Sequence, residues 1–554
     1  MNQKTTVGSH GRQPGERRPK VLSLLMLPLL TLPVVVQAQF DYTSNGDGTI
    51  TITGYTGPGG AVVIPDTING LLVTGIGDYA FSGKTSVTSV TIPNSVTNIG
   101  SGAFDSCTNL TSVTTGNSVT SIGSAAFRFC TSVASLTIPD SVTRIGGSAF
   151  SSCTSLTNVT IPNNVANIGF AAFRFCTNLS AITVDALNSV YSSVDGVLFN
   201  KSQTLLIEYP AGKAGSYTIP NSVTNIGVSA FENCTSLTSV TIPNNVTTIG
   251  ERAFDSCISL SAITVDALNS VYSSVDGVLL NKSQTLLIEY PGGKAGSYTI
   301  PDSVTSIGNY AFYSCTSLTN VAFPKSITSI GDLAFASCTS LTDVTIGNGV
   351  SSIGVYAFYQ CTSLTSLTIG SSVTTIGQCA FAGCTSLTSL TLGNSVTYIG
   401  DYAFGGCSLT SITIPNKVTS IGHWTFAFCI SLTGVYFQGN APSVDAYAFE
   451  GATNATVYYL PGTTGWGATF GGRPAVLWNP LMQSSGPTFG VGPAGFGFNI
   501  TGTTNIPIVV EATTNLASGP WVALKSLNLT NGAFYFSDPN WTNYPARNYR
   551  IRSP

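Results

Sequence analysis

One unit of 23 residues, I-G-x-x-A-F-x-x-C-T-S-L-T-S-V-T-I-P-N-S-V-T-S, governs what this chain can fold into. It opens at Ile76, Ile99, Ile122, Ile145 and Ile168, resumes at Ile226 and Ile249, and runs from Ile307 through Ile330, Ile353, Ile376 and Ile399 to Ile421. A fixed period of this size marks a solenoid, in which each unit buries its apolar face on its neighbours and none folds alone. Twelve of the 13 cysteines follow a phenylalanine by three residues within this unit. A fourteenth, degenerate unit keeps Val444, Ala448 and Phe449 but has Ala452 in the cysteine slot, and the first unit has Lys84 there. Atypical outer units suit the ends of a stack, where one side meets water.

Within a unit, Ile, Ala, Phe and Cys stand at offsets 0, +4, +5 and +8. That spacing predicts a short helix with its apolar side inward, and the cysteine reads as one more small buried hydrophobe. The second half, as in Leu156-Thr157-Asn158-Val159-Thr160-Ile161-Pro162, predicts a half-buried strand closed by a turn. Stacked in parallel at about 4.8 Å per coil, some fourteen coils would extend about 65–70 Å.

These residues resemble the leucine-rich repeats of the BspA-like (Treponema pallidum) class, whose pattern is L-x-x-L-x-L-P-x-x-L-x-x-I-G-x-x-A-F-x-x-C. The likeness spans roughly residues 76–455. It implies an α/β repeat solenoid: a leucine-rich-repeat horseshoe or arc with a parallel β-sheet and short helices. It also implies an exported or surface protein engaged in adhesion and protein binding, not catalysis.

The flanks and gaps divide the chain further. Arg12, Arg17, Arg18 and Lys20 precede an apolar stretch at 21–36, and Val36-Gln37-Ala38 offers a cleavage site, so residues 1–38 read as a signal peptide. Residues 39–75 read as an N-terminal β-hairpin cap, with Asn45-Gly46-Asp47-Gly48 as its turn. The solenoid is assigned to 76–478. Two of its gaps hold 35-residue hairpin inserts, near 185–219 and 266–300, within segments 180–220 and 261–301 that differ only at Phe199/Leu280 and Ala211/Gly292. Inserts of this kind usually project from one face; here each reads as a flap over the solenoid side. Residues 479–554 lose the repeat and read as a small all-β C-terminal module.

Composition excludes several function classes. Only 8% of residues are charged and the net charge is −3, so the chain has no basic face for nucleic acid. Past the N-terminal stretch no apolar run approaches the roughly 20 residues that span a bilayer, so no transmembrane segment is expected in the mature chain. His423 is the single histidine beyond residue 38 and sits in a variable slot, which predicts an exposed side chain. No nucleophile elbow, phosphate loop or zinc motif occurs. No cofactor, metal or catalytic residue is therefore assigned, and the chain reads as a non-enzyme. The twelve repeat cysteines are expected as a buried, reduced ladder, and Cys379, in a variable slot, at the surface. Asp185, Asp195 and Glu208 recur as Asp266, Asp276 and Glu289, but duplication accounts for that recurrence.

Two surface columns remain. Thr91, Thr114, Thr137, Thr160, Thr183, Thr241, Thr264, Thr345, Thr368, Thr391 and Thr413 share one outward strand position, which Ala322 and Tyr436 interrupt. The slot before Ala-Phe carries Tyr79, Tyr310, Tyr356, Tyr402, Trp424 and Tyr447, with Tyr313 and Tyr359 three residues after two of them. Tyrosine and tryptophan are favoured interface residues. Tyr310, Tyr313, Tyr356, Tyr359, Tyr402, Trp424 and Tyr447 are accordingly the candidate partner-binding residues. The expected partners are extracellular or cell-surface proteins; the alternative is a polysaccharide, stacked on the same rings. Oligomeric state is not legible.

Overall fold

The computed structural model describes residues 39–553. The expected signal peptide lies outside them. Most coils have two strand segments: a longer one from the L-T-S-V-T-I half, such as Asn158–Ile161, and a two-residue one ending at the unit's isoleucine, such as Ser121–Ile122. Both pair in parallel, in register, with their equivalents one coil away, as in Thr160 with Thr183 and Ile99 with Ile122.

The expected short helices are not there. The I-G-x-x-A-F-x-x-C half is a double turn, and the only helix among the described residues is a 3-10 turn at Trp541–Asn543. In the coil opening at Ile99, Gly102, Phe104 and Ser106 donate their amides to Ser124, Ala126 and Arg128 of the next coil, at 2.7–2.8 Å. The amides of Asp105 and Cys107 instead close turns onto Gly102 and Phe104. Half of the backbone bonds thus run between coils, which a helix, satisfied within itself, cannot offer. The +3 and +7 positions adopt left-handed φ, for example Tyr310 (60°) and Ser314 (55°). Because most of these slots carry Tyr, Ser, Ala, Phe or another side chain and only a few carry Gly or Asn, as at Gly102 and Asn233, the sequence hides the turn.

The glycine after each isoleucine has a different reason. A Cβ on Gly123 would come within 2.5 Å of the Gly100 carbonyl carbon. The coils touch backbone to backbone at this column, and any side chain would force them apart.

Inside, the Phe slot forms stacked rings with centroids 4.4–5.7 Å apart between neighbouring coils. The cysteines are all free and buried. Their thiols also donate to a carbonyl one coil back: Cys107 to Phe81 at 3.1 Å, Cys361 to Phe335 at 3.2 Å. Two threonine columns do likewise on the rim, as when Thr120 bonds the Thr97 carbonyl and Thr365 the Thr342 carbonyl. Cys379, expected at the surface, is buried, at 7% exposed.

The inserts are not projecting flaps. Val197–Asn200 and Leu205–Glu208 form the expected hairpin, but the hairpin lies across the solenoid interior. Leu198 packs with the core that begins at Phe40, while Val197 and Phe199 pack with the next core section. In the second insert Leu279 faces backward and Val278 and Leu280 forward. Alternation along one strand makes each hairpin a two-sided septum, and the core falls into three blocks.

Each septum then restarts the stack. Leu206 pairs with Ile226, Gly215–Thr218 pairs with the next long strand, and Tyr209 takes the Phe slot, stacked on Phe231 at 5.0 Å. Tyr290 stands on Phe312 at 4.9 Å, and in the N-terminal segment Tyr55 stands on Phe81 at 5.0 Å. Each block therefore opens with a tyrosine. These starter coils, and the strand Arg473–Leu477 at the far end, extend the stack beyond the fourteen units expected.

The tail folds into two small sheets. One holds Gly495–Thr501 and Ala533–Asp538, and the other is centred on Pro507–Thr513. Its core of Phe498, Ile508, Val510 and Phe536 continues onto Tyr436 and Tyr458 of the last long strands. This explains why Tyr436 breaks the threonine column: the module covers the sheet there. Trp478 secures the junction by donating Nε1–H to the Pro507 carbonyl at 2.9 Å.

Burial pushes the Cys107 thiol up to about 11 and those of Cys130, Cys153 and Cys338 further. A thiol-specific reagent at pH 8 should therefore leave the native protein unmodified and titrate all 13 thiols once it is unfolded in denaturant. Rapid native labelling would contradict the buried ladder.

Candidate functional site

In the double turn, offsets +4, +5 and +8 point inward, leaving +3, +6 and +7 to line one edge of the stack. The candidate aromatics occupy this edge, in two kinds of setting. Tyr310 meets Tyr313 edge-on (5.8 Å), and Tyr356 meets Tyr359 (5.3 Å). All four are half-buried, and the Arg252 guanidinium lies 5.3 Å from the Tyr310 ring. The expected i, i+3 pairing holds, through turns and not through a helix face.

Further along, Tyr402, Trp424 and Tyr447 converge. With Gln378, Cys379, Asp401, His423, Phe428 and Glu450 they line an open pocket of about 700 Å³. Trp424 is 44% exposed, and Tyr447 and Phe428 are each 54% exposed, more than a stacked edge residue needs to be. His423 is half-exposed, yet it is part of this wall. Its ring lies 4.2 Å from Trp424 and 5.7 Å from Tyr447, and its Nδ1 is 2.6 Å from Asp445 Oδ1. Asp445 is fixed by the Tyr447 amide (2.8 Å), which with His423 holds its carboxyl below the usual range. Asp401 accepts from the His423 amide at 2.8 Å.

The backbone of Glu450 bonds to Phe428 and Tyr447, but its carboxylate has no hydrogen-bond or ion-pair partner among the described residues. The lining contains two carboxylates, Asp401 and Glu450, with Asp445 behind His423, and no lysine or arginine.

Sequence reasoning placed Tyr402, Trp424 and Tyr447 here. It missed Phe428, Asp401 and Glu450, and read His423 as a lone side chain. The available signal was the repeat register itself: Phe428 stands at +7 and Glu450 at +6, the other outward slots of the same edge.

The model of the BspA type leucine rich repeat region matches in six copies, over residues 74–205, 210–284, 290–378 and 351–465. This chain belongs to the BspA-type leucine-rich repeat family. Among solved structures it is similar to a leucine-rich cell surface protein from Faecalibacterium prausnitzii A2-165, at 33% identity over 73% of this chain and 94% of that one, with a TM-score of 0.43. It is also similar to the T. pallidum leucine-rich repeat protein, at 32% identity over 40% of this chain and 88% of that one, with a TM-score of 0.30. No curated protein matches the chain. BspA-type proteins are repeat scaffolds, and among the described residues no helix is long and apolar enough to cross a membrane.

In this BspA-type solenoid the recurring carboxylates serve the septa. Asp185 accepts from the Leu187 amide at 2.8 Å, and Asp195 sits at a left-handed turn (φ 51°) between two hairpin strands. Glu208 lines a cavity of about 170 Å³ at the first septum, beside Phe170, Arg174, Leu198 and Ile207. Burial, reinforced by Glu232 and opposed by Arg174, pushes its carboxyl up to about 8. Between about pH 4.5, its ordinary value, and 8, the unfolded chain has lost a proton that the folded state still holds. Stability should fall as pH rises through that window. Glu289, shifted up by burial in the second septum, adds to the fall. The double variant Glu208→Gln, Glu289→Gln should flatten this dependence in urea unfolding measured at pH 5 and pH 8; an unchanged slope would refute the assignment.

Proposed function

We propose that this protein is an exported, non-catalytic interaction scaffold that binds an extracellular or cell-surface protein along its aromatic edge. The observation that carries this reading is the pocket around Tyr402, Trp424 and Tyr447. Exposed rings gathered at one concave place leave apolar surface for a partner to cover, and Trp and Tyr concentrate binding energy in interfaces. The rest of the solenoid supplies rigidity: stacked Phe rings and inter-coil hydrogen bonds hold the edge in place, so little ordering entropy is lost on binding.

A polysaccharide is the second reading, favoured by the same exposed faces of Trp424 and Tyr447, on which a sugar ring could stack. Adhesion is the cellular role either partner would serve.

The two readings separate in one binding panel of extracellular proteins and polysaccharides. For a protein partner, Trp424→Ala with Tyr447→Ala should weaken capture by about 2 kcal/mol or more, the range of interface hot spots. If the pair change leaves every captured protein unaffected while abolishing a polysaccharide signal, the second reading replaces the first.

A further inference from the structure

The same edge carries a recurring three-part arrangement in earlier coils: an arginine, an aromatic ring beneath it and a carboxylate from a neighbouring coil. Arg128 lies 5.4 Å from the Phe129 ring and pairs with Asp105 at 2.8 Å. Arg174 lies 4.5 Å from Phe175 and pairs with Glu232. Arg252 lies 5.3 Å from Tyr310 and pairs with Asp255 and Glu232, both at 2.8 Å. In the first two the arginine stands at +6 and the ring at +7. In the second, the carboxylate is at +6 of the following repeat unit.

The coil opening at Ile421 has the ring at +7, Phe428, and the carboxylate at +6 of the following unit, Glu450. Its own +6 residue is Ala427. Trp424, Tyr402 and Tyr447 add further faces, and Asp401 a further carboxylate, with no arginine or lysine in the lining. The platform and the counter-charge are present, and the cation is missing.

We propose that the pocket takes an arginine side chain from the partner, so that the recognised segment is basic. This rests on the reading of the edge as the binding surface. A guanidinium fits better than an ammonium because its planar face stacks on rings while its N–H groups reach Asp401 and Glu450. The +6 slot that supplies an arginine at 128 and 174 holds a buried alanine, Ala427, in this coil, so the chain brings no guanidinium of its own to Phe428 and Glu450.

The test uses calorimetric titration of the purified protein with a synthetic (Arg-Gly)4 peptide and with the same peptide carrying citrulline, which keeps the shape and removes the charge. The arginine peptide should bind saturably, and citrulline should weaken binding about tenfold or more. Salt should weaken the arginine peptide's binding. Ala427 is buried, so Ala427→Arg is read only with its urea unfolding midpoint kept; folded, it should abolish binding by placing a guanidinium at the slot Arg128 and Arg174 use. Glu450→Gln, an exposed change that does not burden folding, should weaken it about tenfold as well.

Equal binding of the two peptides, or no saturable binding up to millimolar peptide, would overturn the inference. If Trp424→Ala still abolishes capture of a panel protein while Ala427→Arg and Glu450→Gln do not, the edge remains the binding surface and only its preference for arginine falls. If none of the three matters, both readings fall.

Discussion

Backbone contact between successive coils at the Ile-Gly column is the constraint on which the rest of this structure depends. At Gly123 the preceding coil's backbone lies where a Cβ would stand, and the following turn sends alternate amides to the next coil. That approach sets the coil spacing. The spacing in turn places Phe rings at stacking distance, cysteine thiols under a carbonyl, and threonine hydroxyls against the carbonyl one coil back. A buried polar group without a partner is costly, and here the repeat thiols and two threonine columns find their partners at the same period. The repeat is thus a hydrogen-bonding unit as much as an apolar one.

A long uniform stack has a weakness: any defect propagates, because each coil contacts only its neighbours. The two septa interrupt it. Each ends one core with a single leucine, opens the next with its flanking residues, and supplies a tyrosine on which a new Phe column begins. The N-terminal segment uses the same tyrosine device. Near-identity of the two inserts therefore reflects a structural task performed twice. Variation concentrates instead on the outward slots of the double turn, where residues change from coil to coil without disturbing the interior. Charged pairs fill that edge in the earlier blocks, and open aromatic surface takes their place toward the end.

The aromatic candidates show how far a sequence reading reaches. Tyr402, Trp424 and Tyr447 were legible because one slot of a fixed register collected them. Their convergence with Phe428, Asp401 and Glu450 was not, because it depends on how +2, +3, +6 and +7 residues of adjacent coils meet across a turn. Tyr310 and Tyr356 belong to the same column yet lie half-buried in pairs outside the pocket. Cys379 occupies that slot too and ends up buried at the pocket wall.

The 23-residue period by itself determined the solenoid, its parallel strands, the inward columns of Ile, Phe and Cys, and the family, because stacking identical units leaves one economical way to bury a shared apolar pattern. Only the tertiary structure decided that the A-F half is a turn and not a helix. Offsets 0, +4, +5 and +8 satisfy both, and the choice is made by amides that bond to the next coil. It also decided that the inserts run through the core, since a strand buried on both faces shows the same short apolar run as a covering flap. The pocket, too, exists only once adjacent coils are in contact: its walls come from residues more than 20 apart in the chain, and no local pattern records which of them face the same space.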